Sequence, residues 1–78
     1  MGWGTKADPA NETFRQRLIA AMAARGMTID ELAARTGLAT SLISEYRAGR
    51  NAPRIKSLTK LCAALGVSAD FMIGLLGD

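Results

Sequence analysis

Residues 27–37, MTIDELAARTG, contain the signals that decide the fold. Thr28 and Glu31 have the spacing of a capping box, in which each side chain bonds the backbone amide of the other residue where a helix begins. Gly37 suits the left-handed conformation in which many helices end. The stretch therefore predicts a short helix of about two turns, over residues 29–36.

The residues that follow predict a second short helix after a tight turn. A helical pattern resumes near residues 39–40 and places Ile43 and Tyr46 on the inward side. The outward side carries small and polar side chains, namely Thr40, Ser41, Ser44 and Glu45. Two helices that cross closely need small side chains, which Ala33 and Gly37 supply. This arrangement is the helix-turn-helix, whose second helix enters the major groove of DNA.

The N-terminal part of the chain predicts an arm and one longer helix. Residues 1–8 mix glycine with polar residues without a period, so we expect a flexible arm there and a single domain over 9–78. The helix begins near residues 8–11 and ends at Arg25, before Gly26. Its apolar stripe consists of Phe14, Leu18, Ala21 and Met22.

Two further helices follow the motif. A loop over residues 48–53 precedes a fourth helix that ends at Gly66, and Ser68 caps a fifth. The apolar stripe of the fourth helix consists of Leu58, Leu61, Cys62 and Leu65. With no strand candidate, the prediction is a compact all-α domain of five helices, in which Cys62 is a core residue.

Length and composition exclude several functional classes. Seventy-eight residues, 49% of them hydrophobic, suffice for one globular domain but leave no room for a second, catalytic one. The chain has no histidine, and a lone cysteine cannot form a metal cluster, so we expect no enzyme activity, no metal and no cofactor. No apolar run approaches the length of a membrane span, and no small-molecule ligand is evident. We expect a cytoplasmic protein.

Positive charge is concentrated in one stretch. The net charge is +3, but residues 47–60 contain five cations and no acid, which makes this stretch +5 and the rest of the chain −2. A clustered basic patch suits a polyanion, either nucleic acid or an anionic membrane surface. A solvated helix face is the alternative explanation.

Residues 14–76 resemble the Cro/C1-type (XRE-like) family of phage repressors and bacterial regulators. The resemblance rests on residues 27–37 and on the later segments SLISEY (41–46), GRNAP (49–53) and LCAALGVSADF (61–71). It implies a five-helix domain, like that of lambda repressor, that binds double-stranded operator DNA, commonly as a homodimer on a near-palindromic site.

The resemblance also implies roles for individual residues. The positions that contact base edges fall on Thr40, Ser41 and Glu45, with Ser44 beside them. Phosphate contacts are expected from Arg50, Asn51 and Arg54, whereas Lys56 and Lys60 turn progressively away from that loop.

Two departures from the family pattern affect this assignment. The family often has an ion pair between a Glu and an Arg at the two positions that Arg47 and Met22 occupy here. This chain lacks that pair, so Arg47 is free to approach DNA or to form another pair. The family also often has a phosphate-binding Gln at the start of the second helix, where this chain has Ile29 and Asp30. Thr28 is a possible substitute for that Gln. Glu45 could instead pair with Arg47, Arg50 or an arginine of the first helix.

The preferred function is a sequence-specific transcriptional regulator, most readily a repressor that acts as a dimer. The last helix has more apolar residues than one inner face needs, which makes Phe71, Met72, Leu75 and Leu76 candidates for the dimer surface unless they only close the core. The alternative is an antitoxin or adaptor module whose main partner is another protein, and this predicts an exposed apolar groove. Binding to a membrane surface is a weaker alternative.

Overall fold

Five helices follow one another in the computed structural model, which describes residues 9–75 and the side chains of residues 11–75. They are α1 (Pro9–Arg25), α2 (Ile29–Thr36), α3 (Thr40–Ala48), α4 (Ile55–Leu65) and α5 (Ala69–Met72). Residues 9–75 contain no strand, so the all-α prediction is confirmed. The predicted arm, residues 1–8, and Leu76 lie outside the described residues.

Every helix contributes to one core. α1 packs against α3, α4 and α5, while α2 packs against α3 and α4. The largest fully buried side chains are Leu18, Leu32, Ile43, Leu61, Leu65 and Met72. Burial of one such side chain stabilises a fold by about 1.5–3 kcal/mol, so the apolar stripes hold the helices together. Cys62 belongs to the same cluster, as the sequence predicts.

The core corrects one predicted surface residue. Met72 is a candidate for the dimer surface, with closure of the core as the alternative, and its side chain is 0% exposed and packs in the core. α5 spans only four residues, so it buries one side chain fully and leaves its neighbour Phe71 half-buried. Met72 therefore closes the core and cannot contact a partner in this fold.

The predicted capping box forms at the start of α2. The Thr28 hydroxyl accepts a hydrogen bond from the Glu31 amide at 3.1 Å, and the Glu31 carboxylate accepts one from the Thr28 amide at 2.9 Å. These bonds satisfy two amides that a helix N-terminus otherwise leaves unpaired. The start of the helix-turn-helix is thus defined by local sequence.

Gly37 ends α2 because of its backbone conformation. Its φ is 76°, and its amide donates to the Ala33 carbonyl at 2.8 Å. A Cβ at this position would meet no atom within 4 Å, so the expectation that Gly37 is small for lack of space is wrong. The left-handed conformation alone favours glycine here, since other residues adopt it at a cost of about 1–2 kcal/mol.

Thr36 joins α2 to the turn, a role that the sequence analysis did not predict. Its hydroxyl is buried, donates to the Leu32 carbonyl at 2.8 Å and accepts from the Leu38 amide at 3.2 Å. One hydroxyl therefore connects the last turn of α2 to the segment that leads into α3. The bond to Leu38 fixes the direction in which the chain leaves the turn.

Replacing Thr36 with Val should destabilise the domain by about 1–3 kcal/mol, because the Leu38 amide would lose its acceptor in a site that water reaches poorly. Urea unfolding at neutral pH measures the loss. Thr36→Ser is the matched control, since it keeps the hydroxyl and removes only a methyl group. If the Ser variant loses as much stability as the Val variant, the hydroxyl does not hold the turn.

Candidate nucleic-acid interface

The outward side of α3 is a continuous polar surface. Thr40, Ser41, Ser44 and Glu45 are all exposed, while Ile43 and Tyr46 are buried. Successive residues of a helix are about 100° apart, which places the four exposed side chains on one face together with Ala48. The structure thus brings together the residues that the sequence predicted to contact bases.

α1 holds this helix in place from behind. The ring of Tyr46 meets the ring of Phe14 edge to face, with their centroids 5.8 Å apart and their planes at 86°. At the end of α3, the Asn11 side-chain amide donates to the Gly49 carbonyl at 3.1 Å. Because both contacts come from one long helix, they restrict rotation of α3 and fix the direction of its polar face.

The chain reverses sharply after α3. Gly49 has a φ of 76°, its amide donates to the Tyr46 carbonyl at 3.2 Å, and the Arg50 amide donates to the Glu45 carbonyl at 3.0 Å. This pair of bonds is a Schellman motif, which carries the following residues back along the last turn of the helix. Asn51 then lies close enough for its side-chain amide to donate to Glu45 Oε1 at 3.1 Å.

A basic loop therefore lies beside the polar face of α3. Arg50, Asn51 and Arg54 are exposed, and so is Lys56 in the first turn of α4. The N-cap residue of α4 is Arg54, which makes no side-chain capping bond, and the first turn contains no acid. The amides at this helix N-terminus and the neighbouring cations together favour an anion.

Arg47 lies at the edge of the polar face. The residue is half-buried, and within residues 11–75 its Nε has no hydrogen-bond acceptor although it is shielded from solvent. Met22, at the place where the family often has a partner arginine, is 3% exposed in the core. Within residues 11–75 no ion pair joins Arg47 to Glu45, whose carboxylate accepts a hydrogen bond from Asn51.

Thr28 differs from the other predicted phosphate ligands. Its hydroxyl donates to the Glu31 carboxylate at 3.2 Å while it accepts from the Glu31 amide, so both hydrogen-bonding functions are used within the cap. The bonds from the Thr28 amide and hydroxyl lower the pKa of Glu31 below its usual value. A carboxylate that stays ionised beside Thr28 disfavours a phosphate at this position.

The apolar residues near the end of α5 are only partly exposed. Phe71 is half-buried, with the Arg17 guanidinium 4.5 Å from its ring centroid, while Ile73 and Leu75 are 42% and 73% exposed. Ile73 was not among the residues predicted for a dimer surface. Its position just after the short helix leaves it outside the core, which sequence periodicity could not show.

Across the described part of the chain, no three His, Cys, Asp or Glu side chains are grouped to hold a metal ion. Cys62 is a buried free thiol, and burial raises its pKa, which disfavours the reactive thiolate. None of the helices within residues 9–75 has the length and hydropathy of a membrane span.

Comparison with protein families agrees with this geometry. The Cro/C1-type helix-turn-helix family matches residues 18–72, which cover α2, α3, α4 and α5 and much of α1. The chain belongs to this family, and the match identifies it as a DNA-binding transcription regulator. No curated protein and no solved structure matches the chain.

The capping box should make stability depend on pH. Because the pKa of Glu31 is lower in the folded chain, its contribution is present above the unfolded pKa and is lost as the pH falls through the folded pKa. We expect the stability difference between the natural chain and Glu31→Gln to shrink as urea unfolding is followed from pH 7 to pH values below the range of carboxyl titration. If the stability difference between the two proteins does not change over this pH range, the Glu31 carboxylate does not stabilise the fold through the capping box.

Proposed function

We propose that this chain is a cytoplasmic, sequence-specific regulator, most readily a repressor, that binds a near-palindromic operator as a homodimer and inserts α3 into the major groove. The observation that carries the proposal is the exposed polar face of α3 with a basic loop at its C-terminal end. A helix in the major groove needs polar side chains toward the base edges and cations toward the phosphates on either side. This surface supplies both.

The base contacts are assigned to Thr40, Ser41, Ser44 and Glu45. Hydroxyl groups donate or accept at several base edges, and the Thr40 methyl group suits the methyl group of thymine. The Glu45 carboxylate accepts hydrogen bonds only, so its preferred partner is the amino group of cytosine. Glu45 is therefore the most selective member of this set.

The phosphate contacts are assigned mainly to Arg47, Arg50 and Arg54. Each cation that neutralises a phosphate releases a counterion, which makes binding weaken as salt rises. The uncapped N-terminus of α4 adds backbone amides next to Arg54. Thr28 contributes least, because its hydroxyl is already bonded to Glu31.

Dimerisation is assigned to the surface that follows α5. A single small module contacts too few base pairs for useful selectivity, so two copies on half-sites about one helical turn apart are expected. Leu75 is 73% exposed and Ile73 42%, and both follow the half-buried Phe71 in the sequence. Occupancy of an operator by such a dimer would block a promoter.

An antitoxin or adaptor function is the second candidate. The observation in its favour is that large apolar side chains are exposed at two places, Ile55 and Leu75. Such side chains can serve a protein partner as well as a second copy of the chain. DNA selection and self-association experiments separate the two candidates.

Selection from a random pool of duplexes at near-physiological salt should enrich an inverted repeat. At this salt concentration non-specific phosphate binding weakens, and enrichment then reports base contacts. Thr40→Ala and Ser41→Ala should lower the preference at individual base pairs by roughly 2- to 10-fold, since a single neutral hydrogen bond is worth about 0.5–1.5 kcal/mol. Lys60→Ala is a control on the surface of α4, away from the basic loop.

A pool without any enriched sequence would overturn the proposed function and favour the antitoxin or adaptor candidate. Equal effects of Lys60→Ala and the two α3 substitutions would overturn the assignment of α3 as the base-contacting helix.

Leu75→Asp should weaken self-association by about tenfold or more, because a buried carboxylate without a partner opposes interface formation. Sedimentation velocity, with and without the selected operator, measures the effect. For the protein without DNA, Ile55→Asp is the matched control, since Ile55 is 83% exposed but lies at the start of α4. A protein that stays monomeric both free and on the operator would rule out the dimer. If Leu75→Asp and Ile55→Asp weaken self-association equally, the dimer surface does not lie at Leu75.

A further inference from the structure

One hydrogen bond connects the polar face of α3 to the basic loop. Asn51 Nδ2 donates to Glu45 Oε1 at 3.1 Å, across six residues of sequence. Glu45 lies on the face assigned to base contacts, whereas Asn51 lies in the loop assigned to phosphate contacts. The bond therefore joins two parts of the surface that the sequence analysis treated separately.

The backbone makes this contact a consequence of the turn. The Schellman motif at Gly49 and Arg50 returns the chain toward the last turn of α3, and Glu45 supplies the carbonyl that accepts the Arg50 amide. The same residue thus anchors the turn by its backbone and meets Asn51 by its side chain. The backbone of the loop therefore places the side chains of Asn51 and Glu45 close to each other.

The bond limits what each side chain can do. A glutamate side chain has several rotatable bonds and loses conformational entropy when it is fixed. Asn51 holds Oε1, which leaves Oε2 and the remaining lone pair of Oε1 as acceptors for a donor outside the protein. Near the phosphates of DNA an unheld carboxylate would turn away from the negative charge, so a neutral donor that holds it favours base contact.

We infer that Asn51 is a positioning residue for base recognition, which orients the Glu45 carboxylate toward an amino group on a base edge, such as that of cytosine. The inference rests on the proposed function and deepens it. It replaces the expectation that Asn51 binds phosphate, since a phosphate at Asn51 would lie beside the Glu45 carboxylate. Arg50 and Arg54, which flank Asn51 in the loop, carry the phosphate contacts.

A double-mutant cycle tests the inference. Asn51→Ala, Glu45→Ala and the double variant are compared on the selected operator and on operators with one base pair changed. The base pair that Glu45 contacts is the one at which Glu45→Ala no longer distinguishes the selected operator from the changed operator. Asn51→Ala should lower the preference at that base pair about fivefold and leave other positions unchanged. In the Glu45→Ala background it should have no effect.

Arg50→Ala provides the matched control in the same loop. It should weaken binding to all sequences alike and reduce the slope of log affinity against log salt by about one. Asn51→Ala should leave this slope unchanged. Thermal unfolding of each variant shows whether the domain remains folded.

Three results would overturn the inference, and they are distinguishable from one another. If Asn51→Ala weakens all sequences equally, with or without Glu45, then Asn51 acts on the phosphates and not through Glu45. If selection yields no enriched sequence at all, the proposed function fails and the inference fails with it. An enriched operator with no coupling between the two residues overturns the inference alone.

Discussion

The turn between α2 and α3 is the constraint on which the rest of the structure depends. Gly37 reverses the chain in the left-handed conformation, and the Thr36 hydroxyl bonds both to the Leu32 carbonyl and to the Leu38 amide. These bonds set the angle at which α3 leaves α2. Leu32 and Ile43, one from each helix, can then enter the same core. A different turn would separate the apolar stripes and rotate the polar face of α3 away from a common surface with the loop.

The two ends of α3 are fixed by different means. Its beginning has no side-chain cap, since Ala39 occupies the N-cap position, so the turn and the core determine where it begins. Its end is held by Asn11 and by the Schellman motif at Gly49. A helix that is fixed at its end by α1 presents its polar face as a rigid surface. Rigid presentation favours selective base contacts, because less conformational entropy is lost on binding.

Much of the fold could be predicted from the sequence because its signals are local. The capping box at Thr28 and Glu31 and the glycines that end helices act within a few residues, and the apolar stripes give the helix faces. The burial of Met72, the exposure of Ile73 and the role of Thr36 could not be predicted in this way. They depend on which face of a four-residue helix meets α1, and on the path of a turn, and both are fixed only by tertiary packing.

The candidate site shows the same limit for polar residues. Sequence spacing places Thr40, Ser41, Ser44 and Glu45 on one face, but it offers only arginines as partners for Glu45 and does not select one of them. The structure gives it Asn51, a neutral donor, so the carboxylate is held without an ion pair that would have to break when DNA binds. The cations of the loop then remain available for phosphates. Selectivity and affinity can therefore be carried by different side chains of one short segment, which is a physical reason for a glutamate to lie beside a basic loop.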